Sequence, residues 1–272
     1  MIPKNIFQTF HDKKQLTSEY LENQEDIAKL NPYWKLQLFD DQDIIDFIKT
    51  EFDVDILNTY LSINREYGAA RADLFRYLII YRYGGLYLDI KSTTTKSLDT
   101  VIHPDDNFIA SVWPLTINGI DTSKWGHHSE LGFTEYQNWF ILSSPGNKIL
   151  ELVIENVCSN IANYKAFTNG VGRLAVLRTT GPIAYSKVVH HYVTSAQVRL
   201  ISNEELGLKY SIFDFRDSEK YVGKSKNYRY LLTPLVFKSR PRSIAVKWYF
   251  RFGKYIKLAE TRIGRVMTKI RL

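Results

Sequence analysis

The run from Arg71 to Ser92, RADLFRYLIIYRYGGLYLDIKS, holds the residues best suited to chemistry. Asp73 and Arg76 stand three apart, so on a helix they share one face. Asp89 closes a short apolar run that reads as a strand, and open α/β sheets take ligands at the carboxyl ends of their strands. A carboxylate there can hold sugar hydroxyls or a metal ion. An arginine beside it can neutralise phosphate through a two-pronged contact. The same spacing also fits an ordinary exposed helix pair followed by a turn residue.

Those residues need elements to position them, and the chain alternates strand-like with helical stretches. Strands are expected over Asn5–Phe10, Trp34–Phe39, Leu86–Ile90, Asn107–Trp113, Gln137–Leu142 and Val198–Ile201. Helices are expected from Thr17 or Ser18 to about Ala28, from Asp40-Asp41 onward with Ile44, Ile45 and Ile48 on one face, and from Lys148 to about Asn160. Another runs from Pro182 to about Tyr192. Glu66–Arg82 gives the strongest helical pattern, and Gly84-Gly85 stop it because glycine takes the left-handed conformation of a helix end. Pro114–Phe133 turns polar and reads as a loop over a site.

Composition narrows the rest. With 272 residues, 44% of them hydrophobic, the chain can bury a real core, which excludes long disorder and a disulfide-stapled mini-fold. The single cysteine, Cys158, allows no intrachain disulfide and suits a reducing, cytoplasmic setting. It falls on an apolar helix face, as core residues do. No signal-like or membrane-spanning apolar run stands out. The net charge of +7 is uneven: Lys238–Leu272 carries 11 cations against Glu260, a balance of +10, and leaves the remainder at −3.

Across four motifs the chain resembles the DXD sugar-binding glycosyltransferases, which include yeast initiating mannosyltransferases, bacterial capsular and lipooligosaccharide transferases and clostridial glucosylating toxins. The motifs are Ile2–Thr9 (IPKNIFQT), Ala69–Ile90 (A-x-x-A-D-L-x-R-Y-x-x-x-Y-x-x-G-G-x-Y-L-D-I), Glu135–Ile141 with Pro145-Gly146, and Val176–Pro182 with its Thr-Gly-Pro turn. The resemblance implies a GT-A type fold, a Rossmann-like mixed α/β sheet flanked by helices, over residues 1–237. It also implies a nucleotide-sugar donor and transfer with retention. By position, Phe7, Gln8 and Thr9 would line the nucleotide pocket, Asp73 would hold ribose or donor-sugar hydroxyls, and Arg76 would meet the diphosphate or donor sugar. Tyr87 and the backbone at Gly181 belong to the same donor side, and Asn138 would face the reacting sugar or acceptor. Asp89 would be the first acid of the D-x-D and the metal ligand, if there is one.

The departure is Lys91, where the pattern has its second acid. If the strand continues, residues two apart point the same way, so Lys91 would project where that acid sits. An ammonium only donates and cannot ligate a divalent ion, but it can offset diphosphate charge. Two readings stay open: Lys91 replaces the metal, or it points away and Mn²⁺ or Mg²⁺ is held elsewhere. Activity in EDTA separates them. Late in the chain, where the group has a histidine or acid, stand Lys226-Asn227-Tyr228-Arg229, with Lys226 and Arg229 as phosphate candidates. His127-His128 and His190-His191 lack zinc spacing, although the first pair lies where it can touch an acceptor. Gly170-Val171-Gly172 lacks the third glycine of a dinucleotide fingerprint.

The basic, aromatic segment 238–272 is expected to be a helical extension. It suits an anionic membrane surface, a nucleic acid, or packing on the body. Beside the transferase resemblance the membrane is preferred and no nucleic acid is expected. The combined expectation is a hexosyltransferase, on UDP-sugar before GDP-mannose, acting on a glycan or lipid-linked glycan. It would serve bacterial capsule or lipooligosaccharide synthesis, peripheral to the inner face of the cytoplasmic membrane. The alternative is an inactive transferase fold that binds a glycan or protein.

Overall fold

The computed structural model describes residues 1–114, 116–117, 120–121, 128–194, 198–213 and 228–237. In chain order the strands are β1 (Asn5–Thr9), β2 (Lys35–Phe39), β3 (Gly85–Leu88), β4 (Thr93–Thr94), β5 (Phe108–Ala110), β6 (Thr116–Ile117), β7 (Ile120–Asp121), β8 (Phe140–Ser143), β9 (Val198–Leu200) and β10 (Leu208–Lys209). The helices are α1 (Ser18–Leu30), α2 (Asp41–Glu51), α3 (Val54–Ser62), α4 (Gly68–Tyr83), α5 (His128–Leu131), α6 (Lys148–Ala162), α7 (Ala166–Asn169), α8 (Gly172–Thr179) and α9 (Pro182–Val189). Asp40 caps α2 by accepting from the Gln42 and Asp43 amides, and Asp53 caps α3 in the same way.

Six strands form one mixed sheet in the order β2-β1-β3-β8-β5-β9. β1 pairs parallel with β2 and β3, β5 pairs parallel with β9, and β8 runs antiparallel to both β3 and β5. Alternate strand residues feed two cores, as a period of two requires. Phe7, Tyr87, Phe108 and Ile141 pack with α2, α3, α4, α6, α8 and α9. Ile6, Leu86, Leu88, Ile109 and Leu142 face the other way, toward Ile27 of α1 and Trp34. This is the expected α/β architecture, with helices on both faces of a mixed sheet.

The reversed direction of β8 matters most for the site. Its amino end meets the carboxyl ends of β1, β3 and β5 at one sheet edge. The double glycine lies at the other end of β3, where the strand starts. Gly84 and Gly85 have φ of 63° and 107°, and a Cβ on Gly85 would stand 2.5 Å from the Asn5 carbonyl oxygen. Only glycine lets α4 turn at once into β3 with β1 pressed alongside.

The structure differs from the expected elements in several places. The strand expected over Gln137–Leu142 begins at Phe140, because Gln137 is engaged elsewhere: its amide donates to the Ser111 carbonyl and its side chain to Val112 and Asn203. β3 ends at Leu88, and the Ser92 amide donates to the Asp89 carbonyl at 2.8 Å, so Asp89–Ser92 is a turn. The argument that Asp89 and Lys91 point the same way along a strand therefore fails. Helices α3 and α8 were not expected. Within Pro114–Phe133 the described parts include β6, β7 and α5. The segment 238–272 lies outside the described residues, as do Lys226 and His127.

Candidate active site

Helix α4 passes behind the sheet edge and carries Asp73 and Arg76 on the face that meets β3 and β8, while Asp89 follows β3 directly. The Arg76 Nη2 stands 3.3 Å from Asp73 Oδ1 and 3.2 Å from Asp89 Oδ1. Its Nη1 donates to the Asn138 carbonyl, its Nε donates to the Ala72 carbonyl at 3.3 Å, and its guanidinium lies 4.7 Å from the Tyr87 ring centre. All three nitrogens are thus engaged within the protein. Arg76 holds the two carboxylates and the amino end of β8 in register, and a fork onto phosphate would cost it those contacts. Burial works against its charge, but Tyr87, Asp89 and Asp73 outweigh it and keep the guanidinium protonated.

Asp73 is buried and fully coordinated. Its Oδ2 accepts from the Thr180 hydroxyl at 2.9 Å, and its Oδ1 accepts from Asn138 Nδ2 at 3.3 Å. Asn138 Nδ2 also donates to the Tyr77 hydroxyl at 3.1 Å, which donates to the Thr180 carbonyl. Gly181 follows, and a Cβ there would stand 3.4 Å from Asp73 Oδ2. Burial pushes the Asp73 carboxyl up to about 6, against the pull of Arg76 and Thr180. Asp89 is the accessible acid of the pair, its side chain 24% exposed, and it accepts from the Tyr87 hydroxyl at 3.3 Å. Burial also raises the Tyr87 phenol, so it stays a donor.

The other expected residues are placed as follows. Phe7 and Gln8 are 1% and 0% exposed, because β1 lies between β2 and β3 with packed layers on both faces. Phe7 nevertheless lines the cleft between β2 and α2, and the Gln8 side chain accepts from Gln24 Nε2 at 2.9 Å. Thr9 is only partly buried and donates to the Phe39 carbonyl at 3.0 Å. Lys91 makes no ion pair with Asp89 among the described residues; its Nζ donates to the Tyr210 hydroxyl at 2.6 Å. Arg229 is exposed in a short turn, Tyr228–Tyr230, whose backbone packs against Gly172. Tyr228 of that turn is near enough for Asp73 and Tyr210 to bear on its phenol, which burial raises. Cys158 is partly buried in α6, and burial pushes its thiol up to about 11, which does not suit a nucleophile.

Sequence reasoning did not single out the side chains of Thr180, Tyr77 and Tyr210. Thr180 was quoted within a motif, but nothing local marks it as the partner of a carboxylate 107 residues away. A cleft of about 350 Å³ opens beside the carboxyl ends of β1 and β2, lined by His11, Asp40, Asp41, Arg65 and Arg71 among others. Packing around Asp41 there raises its carboxyl, through partial desolvation. A larger cleft of about 780 Å³, between β2 and α2, lies away from Asp89.

The donor set at Asp89 does not fit a resident divalent ion among the described residues. Such an ion needs several oxygen ligands. Here one carboxylate is shared with Arg76 and Tyr87, the nearby Asp73 is saturated, and the next charged side chain is the Lys91 cation. The described group that could gather ligands, His103, Asp105 and Asp106, precedes β5 at the opposite sheet edge, where Arg199 pairs with Asp106 at 3.1 Å.

Comparison with known proteins agrees with this geometry. Residues 17–109 match the family described as the glycosyltransferase sugar-binding region containing a DXD motif. Inositol phosphoceramide mannosyltransferase 3 of Schizosaccharomyces pombe is 33% identical over 185 residues, covering 68% of this chain and 44% of that protein. Mannosyl phosphorylinositol ceramide synthase SUR1 of Saccharomyces cerevisiae is 32% identical over 102 residues, 38% of this chain and 26% of that protein. This chain thus spans less than half the length of these fungal relatives. Among solved structures, the PaToxG glycosyltransferase aligns at a TM-score of 0.49 and 16% identity over 84% of this chain and 87% of that one.

Proposed function

We propose that this chain transfers a hexosyl group from a nucleotide diphosphate sugar to a hydroxyl acceptor. The Asp73–Arg76–Asp89 cluster, lying inside the matched sugar-binding region, is the observation that carries the reading. Asp89, accessible and fixed by Arg76 and Tyr87, accepts from donor-sugar hydroxyls. Asp73, Asn138 and the Gly181 backbone shape the wall behind it. The nucleotide occupies the cleft at the ends of β1 and β2, on the same sheet edge.

Among the described residues no side chain stands out as a nucleophile, and the reading is retaining transfer by positioning and charge stabilisation. The acceptor hydroxyl is held beside the anomeric carbon while the diphosphate leaves toward Lys91. A fixed cationic donor in that position lowers the barrier by about 3 kcal/mol. Of the two fungal relatives described, one is named an inositol phosphoceramide mannosyltransferase and the other a mannosyl phosphorylinositol ceramide synthase. That favours mannosyl as the hexose and a membrane-lipid headgroup as the acceptor, in place of a capsule or lipooligosaccharide precursor. An acceptor of that kind suits the basic segment 238–272 at an anionic membrane surface.

The test is a panel of GDP-mannose, UDP-glucose and UDP-galactose, read by thermal shift and donor hydrolysis with Mn²⁺ and with EDTA. One donor should stabilise the protein, by about 2.7 kcal/mol at a hundredfold excess over Kd, and turn over in EDTA. Activity lost in EDTA and restored by Mn²⁺ would remove Lys91 from this role. Stabilisation by no donor would leave a transferase fold that binds without catalysis.

A further inference from the structure

Lys91 is a single charge on a long flexible stem, placed within the Asp89–Ser92 turn, and such a group acts on a leaving diphosphate only if something holds it in place. The segment Leu208–Ile212 supplies the hold. β10 pairs antiparallel with β4, with Leu208 opposite Thr94 and Lys209 opposite Thr93. The Ser92 hydroxyl donates to the Tyr210 carbonyl at 2.7 Å, and the Ile212 amide donates to the Lys91 carbonyl at 2.8 Å. Between these anchors the Tyr210 side chain meets the Lys91 ammonium twice. Its hydroxyl accepts from Nζ at 2.6 Å, and its ring centre lies 3.9 Å from the same nitrogen.

The ring, although Tyr210 is 37% exposed, meets two indoles edge to face. Trp113 lies 5.2 Å away at 85°, and Trp139 lies 5.5 Å away at 68°. Trp113 follows β5, and Trp139 is tied to the site through its carbonyl, which accepts from the Asp89 amide. Trp139 therefore ties the clamp to the turn that carries Asp89. An ammonium has three N–H donors. The Tyr210 hydroxyl takes one, and the ring's negative face favours a cation close by.

We infer that Tyr210 is a positioning residue that fixes the Lys91 ammonium for the donor's diphosphate. The inference rests on the transferase reading for its purpose, and on the Lys91–Tyr210 contact alone for its geometry. Tyr210 acts through Lys91 and does not itself touch the donor.

The experiment is a double-mutant cycle of Y210F, K91A and the pair, with kcat and donor KM measured for each. Reductive methylation of Lys91, followed by mass spectrometry, accompanies it. Removing only the hydroxyl should lower kcat about tenfold with donor KM nearly unchanged, and should have no further effect in the K91A background. Lys91 should also methylate faster in Y210F than in the wild type. Unchanged Lys91 reactivity in Y210F overturns the inference, and so does an equal kcat loss with and without Lys91. If the wild type neither binds nor turns over any donor while Y210F still unmasks Lys91, the clamp stands and the transferase reading is what fails.

Discussion

Asp73 carries the sharpest consequence of single-residue chemistry. An exposed carboxyl loses its proton near 3.8, and this one near 6, because burial outweighs Arg76, Thr180 and Asn138. Between those values the folded chain holds more protons than the unfolded one, so this group lowers stability as pH rises through the window. Above about 6 the difference is constant. Asp73→Asn removes the effect, so its unfolding midpoint should gain on the wild type from pH 4 to 6 and run parallel above that. Midpoints at pH 4.5, 6.0 and 7.5 check this; a pH-independent difference would show that Asp73 titrates normally. Arg76, Asp89 and Tyr87 were legible in sequence as types at a spacing. The direction of Lys91 was not, since it depends on where β3 stops and on Tyr210, 119 residues away.

At the scale of elements, the α4–β3 junction does the positioning. A methyl on Gly85 would collide with the Asn5 carbonyl and would demand a left-handed conformation that side chains avoid. Gly85→Ala should therefore cost about 3 kcal/mol or more, from overpacking and strain together. Urea unfolding measures it, and a loss under about 1 kcal/mol would mean the junction relaxes freely. Glycines at this corner were readable, as was α4 from its apolar spacing. Helix α8 was not, because it opens on Gly172 at φ 61° with no side-chain cap, and glycine normally argues against a helix start. β8 was misjudged at its beginning, where polar Gln137 turns aside into bonds with Ser111, Val112 and Asn203 that no period of two announces.

For the whole molecule, the described members of both cores lie within residues 2–236. A chain ending at Phe237 should fold with an unfolding midpoint close to that of the full chain. It should also lose sedimentation with vesicles containing phosphatidylserine, since the removed segment carries +10. Vesicle binding equal to the full chain's would place membrane affinity elsewhere. No helix among the described residues is long and apolar enough to cross a membrane. The overall architecture was legible because both faces of the sheet are written in alternating apolar residues. The reversal of β8 was not, because nothing in a strand's own residues states the direction of its neighbours.

That reversal, with the Asp73–Thr180 bond, sets an order of manufacture. Asp73 meets Asn138 across 65 residues and Thr180 across 107. A chain emerging during synthesis displays the whole signature, through Asp89, long before either partner exists. Until Thr180 arrives, the carboxylate has no lid and stays wet, ionised at ordinary acidity and paired only with its neighbour on the helix. The Asp73 cluster is thus finished only after Thr180 has been made, and a nascent fragment that stops short of it would carry the matched region without that partner.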